Sequence, residues 1–353
     1  EFKTDIVAAK IPLNFVIIKI YIKNISSKDY KYHMKILAIQ NRMGIGDTII
    51  FLPFIKALSK KFSSPISLLV KENSKADQYL FQTEYIDKII LLKRETKINN
   101  RHNGIFGFFN LIKDLKKHNF EKAIIFNSSF RFNLTAKFSG IPEIYQYPLF
   151  KKTQQHIVNT PRKFIRDKLN LEVNEDPQIH INDSLVTNAM NNLQINKNDF
   201  NILLGIGGSG PTKRIPANTF LDLIEKISKI KKCKFFLATG KNKDEQIILK
   251  KILDSKFKHF CVPLDDFTIK ETLPIIKNCN LSVCNDSSFS HLSAALGLKT
   301  ITLMADTPLI YGNYSSKMFP IIPDDEKTVT HNTLGKDKIN SQKILNKIVE
   351  IIN

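Results

Sequence analysis

Three polar turns in this sequence carry residue types that bind anions or move protons. The first follows the apolar run at 281–284 and reads Asn285-Asp-Ser-Ser288 before a helix-favouring stretch, 289–296, that stops at Gly297. A second apolar run at 300–304 closes a strand–helix–strand unit. In such a unit the turn lies at the carboxyl edge of the sheet, and the helix opens with N–H groups that have no partner inside it. Ser287, Ser288 and Ser290 are small hydroxyl residues suited to a phosphate there. One charge at a helix N-terminus contributes only about 0.3–1 kcal/mol, so the turn needs help from elsewhere to hold a ligand. Capping by Ser287 or Ser288 accounts for the same residues with no ligand at all.

The second turn, Asn41-Arg-Met-Gly-Ile-Gly46, follows a strand over 35–40 and precedes a helix over 48–62 entered at Asp47, with Pro53 in its first turns. Gly44 and Gly46 let backbone approach a ligand closely. Asp47 is then either a cap or a general base, and a helix N-terminus that stabilises a carboxylate also weakens it as a base. The third turn runs from Gly207 to Arg214, GGSGPTKR, between a strand over 202–206 and a helix over 217–230. Its glycines resemble a dinucleotide fingerprint, but such a site wants an acid at the end of the next strand to hold the ribose. That strand, 233–238, ends in Thr239-Gly240, with Asp244 and Glu245 close behind, and Lys213 in the loop favours a diphosphate.

The elements that must position these turns alternate. Strand-like runs at 66–70, 86–92 and 123–126 are interleaved with helical stretches at 74–83 and 106–118, the signature of a parallel sheet wound by helices on both faces. The stretch 141–155 is rich in turns. Loop, helix and loop follow over 174–200, and a second series of strands then begins, continuing at 259–262. The organisation expected is an appendage at 1–33, a first α/β domain at 34–180, a second at 181–335 and a C-terminal helix within 336–353. In the appendage, residues 13–25 are apolar but interrupted by Lys19 and Lys23, and are shorter than the ~20 residues a span requires. They fit an interfacial helix and an edge strand equally well.

With 353 residues, 42% hydrophobic and 24% charged, the chain has the composition of a folded protein large enough for two domains. Lys+Arg 53 against Asp+Glu 33 leaves a formal charge of +20, which favours an anionic partner. Cys233, Cys261, Cys279 and Cys284 form no CxxC pair and read as reduced thiols of a cytoplasmic protein. The histidines show no metal-ligand spacing, so neither a metal nor a cofactor is expected.

Taken in order, MKILAIQNRMGIGDTIIFLPFIKALSKKF, Gly207-Gly-Ser-Gly-Pro-Thr-Lys-Arg-Ile-Pro216 and Asp286-Ser-Ser-Phe-Ser-His-Leu-Ser-Ala-Ala-Leu-Gly297 resemble the motifs of glycosyltransferase family 9, the lipopolysaccharide heptosyltransferases. Thr307-Pro308 and Tyr311-Gly312 extend the likeness, which runs from about Met34 to Tyr314. The resemblance implies a GT-B fold, two Rossmann-like domains facing one another across a cleft, and an inverting, metal-independent sugar transfer. The donor would be a nucleotide sugar, usually ADP-heptose, and the acceptor an anionic lipid-linked saccharide of the lipopolysaccharide inner core. Carried over by residue, Asp47 would be the base and Lys213 would offset charge on the departing diphosphate. Gly207, Gly208, Ser209, Thr212, Asp286, Ser287, Ser288 and His291 would border the donor, with Asp244 or Glu245 at the ribose. The sequence departs from the family at Ser288, where glycine is usual, at Ile215, where an aromatic residue is common, and in having no tryptophan.

With that resemblance, Gly44, Gly46, Arg94, Lys97 and Arg101, with the basic block 162–168, would meet the acceptor at a membrane surface, making the protein cytoplasmic and peripheral on the inner membrane. The default for each basic cluster is a solvated face. The competing classes are a transferase of the same build with another nucleotide sugar or acceptor, and a non-catalytic polyanion- or membrane-binding protein driven by charge. Nucleic acid is not an expected partner of the transferase. A nucleotide-sugar epimerase is disfavoured because no Tyr-x-x-x-Lys pair stands in a suitable place.

Overall fold

The computed structural model describes residues 33–94, 100–149 and 157–352. Two parallel sheets organise them, and their central strands β1, β6 and β9 are buried along their whole length, as strands covered on both faces must be. The first has the order β3-β2-β1-β4-β5, with β1 at Ile36–Ile39, β2 at Ile66–Lys71, β3 at Ile86–Leu92, β4 at Lys122–Ile125 and β5 at Glu143–Gln146. Ile36 is in register with Ile66 on one side and with Lys122 on the other. The second has the order β11-β10-β9-β6-β7-β8. Its strands are β6 (Phe200–Gly205), β7 (Cys233–Ala238), β8 (Cys261–Pro263), β9 (Leu281–Asn285), β10 (Lys299–Leu303) and β11 (Met318–Ile321).

The helix after β1, α1 (Ile45–Phe62), buries every residue from Thr48 to Ile55. A helix apolar all round must be covered all round. Here the second cover is α9 (Ser288–Ala295), the helix after β9, which packs directly on α1. The remaining helices are α2 (Gly104–Lys116), α3 (Phe130–Phe138), α4 (Asn159–Leu169), α5 (Asp183–Asn192), α6 (Ala217–Ser228), α7 (Lys243–Leu253), α8 (Ile269–Lys277) and α10 (Ser341–Ile352). Ile344, Ile348 and Ile351 of α10 enter the core of the second sheet beside Phe220 and Leu223 of α6.

The segment between α4 and α5 is tied to both halves. Lys56 on α1 pairs with Glu175 at 2.9 Å and donates to Gln178 Oε1 at 2.8 Å, and Tyr85 donates to the Gln178 carbonyl at 2.7 Å. On the other side Ile179 N–H reaches the Ala295 carbonyl of α9 at 2.9 Å, and Ser316 N–H reaches Asp176 at 3.0 Å.

Three expectations are corrected. The stretch 74–83 is not an α-helix but holds two 3-10 turns, Glu72–Ser74 and Ala76–Gln78, separated by Lys75 at φ 49°. Tyr79 and Leu80 supply the apolar signal by burying individually rather than along a helical face. The turn-rich 141–155 contains β5, a short half-buried edge strand without alternation. The aperiodic basic stretch ends earlier than expected, because α2 begins at Gly104.

Candidate active site

All three turns lie at carboxyl ends of parallel strands, β1, β6 and β9, and line one cleft of about 820 Å³ between the two sheets. Gly44, Gly46 and Asp47 contribute from the first half, and Gly207, Gly208, Ser209, Lys213, Asp286, Ser287, Ser288 and His291 from the second. Asp47 is the third residue of α1 rather than its entry point, with Gly44 at the cap. Its Oδ2 accepts the Gly44 N–H at 3.0 Å, so the carboxylate closes the turn yet stays half-buried at the cleft wall.

Opposite it lies a chain of polar groups. Lys213, on the 3-10 turn Pro211–Lys213, donates to Asp286 Oδ2 at 2.7 Å. The other carboxylate oxygen, Oδ1, is 3.9 Å from His291 Nε2, and His291 Nδ1 is 2.8 Å from the Tyr314 hydroxyl. The Tyr314 ring stacks on the imidazole with centroids 5.6 Å apart. Burial works against the Asp286 charge, but the Lys213 ammonium at 2.7 Å outweighs it and holds the carboxyl below its ordinary range. Burial pushes His291 below its ordinary value despite Asp286 and Asp47, favouring neutral imidazole, and pushes Tyr314 far up.

The imidazole is also where the halves meet. A Cβ built on Gly46 would stand 2.4 Å from His291 Cδ2 and 2.5 Å from Nε2, so only glycine fits without movement. A second close approach fixes the glycine loop. Glu245, buried in the first turn of α7, accepts the Gly208 N–H at 2.6 Å, and a Cβ on Gly207 would lie 2.5 Å from its Oε1. From β9, buried Asn285 donates to the carbonyls of Ile206 and Gly207 at 2.8 and 3.2 Å.

Other expected site residues lie elsewhere. Asp244 is exposed outside the cleft and paired with Arg214 at 2.8 Å. Thr212 also lies off the cleft wall and bonds to Asp306. Arg101 is locked onto Asp114 by two bonds of 2.7 and 2.6 Å, outside the cleft lining. Arg94 is exposed and likewise outside that lining, while Lys97 lies outside the described residues. Ile215, the departure from the family pattern, is wholly buried in the core of the second sheet. The basic block 162–168 sits on α4, where Arg162 Nε donates to the Val173 carbonyl at 3.1 Å.

Sequence reasoning missed Tyr314 and Asn285. Tyr314 stands in an irregular segment with no spacing signal, whereas Asn285, a polar residue ending an apolar strand, carried a signal that went unread. Also unforeseen is the cleft's outer wall after β7 and β8, formed by Lys241, Asp265, Phe267, Thr268 and Thr272. The hydroxyl oxygens of Ser287 and Thr239 are buried at the cleft without a protein partner, leaving both available to a polar ligand. Among the described residues no three His, Cys, Asp or Glu side chains are grouped to hold a metal, and no helix is long and apolar enough to cross a membrane.

The model of glycosyltransferase family 9 (heptosyltransferase) matches residues 108–338. The chain belongs to that family. It is therefore a glycosyltransferase, and its paired sheets are the two Rossmann-like domains of the GT-B architecture. Lipopolysaccharide heptosyltransferase 1 of Campylobacter coli is 26% identical over 247 residues, which span 69% of this chain and 66% of that protein. Among solved structures, a family 9 glycosyltransferase from Veillonella parvula superposes with a TM-score of 0.75 at 18% identity, covering 90% of this chain and 97% of the other. The E. coli ADP-heptose lipopolysaccharide heptosyltransferase II gives 0.68 at 17%, covering 90% and 98%.

Proposed function

We propose that this family 9 enzyme transfers a heptose from ADP-heptose to an anionic lipid-linked saccharide, with inversion at the anomeric carbon and without a metal. The observation that carries the proposal is the facing of the Asp47 carboxylate and the Lys213–Asp286–His291 chain across one cleft. The named donor of the E. coli relative and the named acceptor class of the Campylobacter relative support the substrates.

In the proposed reaction the acceptor hydroxyl enters from the first half and its oxygen attacks the anomeric carbon as Asp47 takes its proton. The bond from that carbon to the diphosphate oxygen breaks, and the electron pair leaves with ADP. Attack opposite the leaving group inverts the centre through an oxocarbenium-like state. Lys213, within reach of the glycine loop, meets the negative charge where it develops, helped by the amides at the start of α9 and the hydroxyls of Ser287 and Thr239. Neutral His291, fixed by Tyr314, is suited to hydrogen-bond a sugar hydroxyl. Glu245 holds the glycine loop in shape rather than reaching freely for the ribose. The enzyme would then act at the cytoplasmic face of the inner membrane, where such acceptors are built.

The test is nucleotide release from a panel of nucleotide sugars, with and without a lipid A–sugar acceptor, for wild type and Asp47→Ala. Acceptor-dependent ADP release that falls about 10²–10⁴-fold in the variant supports the proposal. Release of another nucleotide would reassign the donor. Release that survives Asp47→Ala would remove the proposed base.

A further inference from the structure

The first half carries a cluster of exposed apolar side chains outside the cleft. Helix α2 turns Leu111 and Leu115 into the core beside β1 and β4, and leaves Ile105, Phe106 and Phe109 facing outward, 69%, 82% and 60% exposed. Phe138, at the end of α3, is 62% exposed. Phe108 joins the two helices, with its ring centroid 5.4 Å from Phe109 and 6.3 Å from Phe138. Large rings in water at this density mark an interaction surface rather than ordinary surface scatter.

Cations surround the rings. The Arg131 guanidinium lies over the Phe108 ring at 5.5 Å and ties α3 to the start of α2 through the carbonyls of Gly104 and His102. Arg94 acts on the Arg131 charge from nearby. Exposed Lys113 follows Phe109 by one helical turn, and exposed Lys137 adjoins Phe138. The acid of α2, Asp114, is already occupied by Arg101, His102 and Lys117.

We propose that this ridge of α2 and α3 docks the enzyme on an anionic lipid bilayer, the rings entering the headgroup boundary and the cations meeting lipid phosphates. Exposed aromatic rings set among lysine and arginine are what an interfacial surface requires. A second copy of the chain is the poorer occupant, because face-to-face pairing would set like charges together, and lysine is depleted at protein interfaces. The topology also suits the task. Helices α2 and α3 start at the carboxyl edge of the first sheet, the edge that carries Asp47, so a bilayer under Phe106 lies beside the entrance for a lipid-linked acceptor.

The inference rests on the proposed acceptor only for its purpose, and binding is scored without donor or acceptor, so either proposal can fail alone. The full chain is floated with vesicles of phosphatidylglycerol and phosphatidylethanolamine, and with phosphatidylcholine vesicles. The expected result is binding to the anionic vesicles alone, weakened by salt. Phe106→Ser with Phe109→Ser should reduce partitioning by about tenfold or more. Because both rings are exposed, that variant should keep the wild-type melting temperature and nucleotide-sugar binding. Unchanged flotation of the double variant would move the docking surface elsewhere in the chain and overturn the proposal. Absence of vesicle binding, or concentration-dependent dimerisation abolished by the same substitutions without vesicle binding, would overturn it too.

Discussion

Replacing Gly46 by alanine tests the contact between the two halves with a single methyl group. The position is the second residue of α1, so by helix propensity alone the change should stabilise the enzyme by about 1 kcal/mol. The structure predicts the opposite sign. The new Cβ would stand 2.4 Å from His291 Cδ2, 2.5 Å from Nε2 and 3.0 Å from Cε1, so three ring atoms must retreat together by roughly 1 Å to reach ordinary contact. The ring has little room to do so, being stacked on Tyr314 and hydrogen-bonded to it at 2.8 Å. Overpacking of this kind costs about 1–3 kcal/mol. A 1 Å displacement between the halves, carrying Asp47 away from the Lys213–Asp286 pair across the cleft, would cost on the order of 10²-fold in kcat. The assay is a thermal melt together with acceptor-dependent nucleotide release, in the wild-type background and in His291→Ala. With the ring removed the overlap disappears, and Gly46→Ala should become neutral or stabilising. Equal costs in the two backgrounds would refute the reasoning, because the penalty could not then come from the imidazole.

The other expectations follow from the same polar chain. Asp47→Asn should lower kcat by about 10²–10⁴-fold while leaving the donor KM within a few fold, as steady-state kinetics would resolve. Lys213→Met strands the buried Asp286 carboxylate and should cost about 3 kcal/mol, the low end for buried pairs because the lysine is 24% exposed, read by urea unfolding. The Asp286 carboxyl titrates below its ordinary 3.8, so its contribution is present above pH 3.8 and is lost as pH falls through its folded pKa; Lys213→Met should remove that acid-labile part. His291 titrates below its ordinary 6.5, so protonation favours the unfolded chain and stability declines as pH falls from 6.5 towards the folded pKa. His291→Gln should flatten that decline in a pH series of melts.

What was legible in the sequence was local. Strand, turn and helix are neighbours in the chain, so the elements around Asp47, Lys213 and Asp286 could be read from apolar runs and glycines, and they converge because parallel strands bring their carboxyl ends to one edge. What depends on distant packing was not legible. Nothing near Tyr314 announces that it holds His291, nor does any spacing reveal that His291 presses on Gly46. Arg101 reads as a free cation until α2 brings Asp114 beneath it. The helix over 106–118 was legible as a helix, but which of its phenylalanines stay in water depends on where the sheet ends. Tyr79 and Leu80 show the converse, apolar residues buried one by one just after a 3-10 turn, in a stretch that a periodic pattern misreads as α-helix.

The direct packing of α1 on α9 limits how this enzyme can be recombined. The helix that carries Asp47 is buried on every side from Thr48 to Ile55, and it packs against the helix that begins beside Asp286. Exchanging the first half for that of a relative would therefore leave α9 facing a foreign surface, with the Gly46–His291 fit the first to fail. A chimera that carried α1 and the tether 170–182 together with the second half would keep both seams native, and would move the site of exchange to the outer strands of the first sheet.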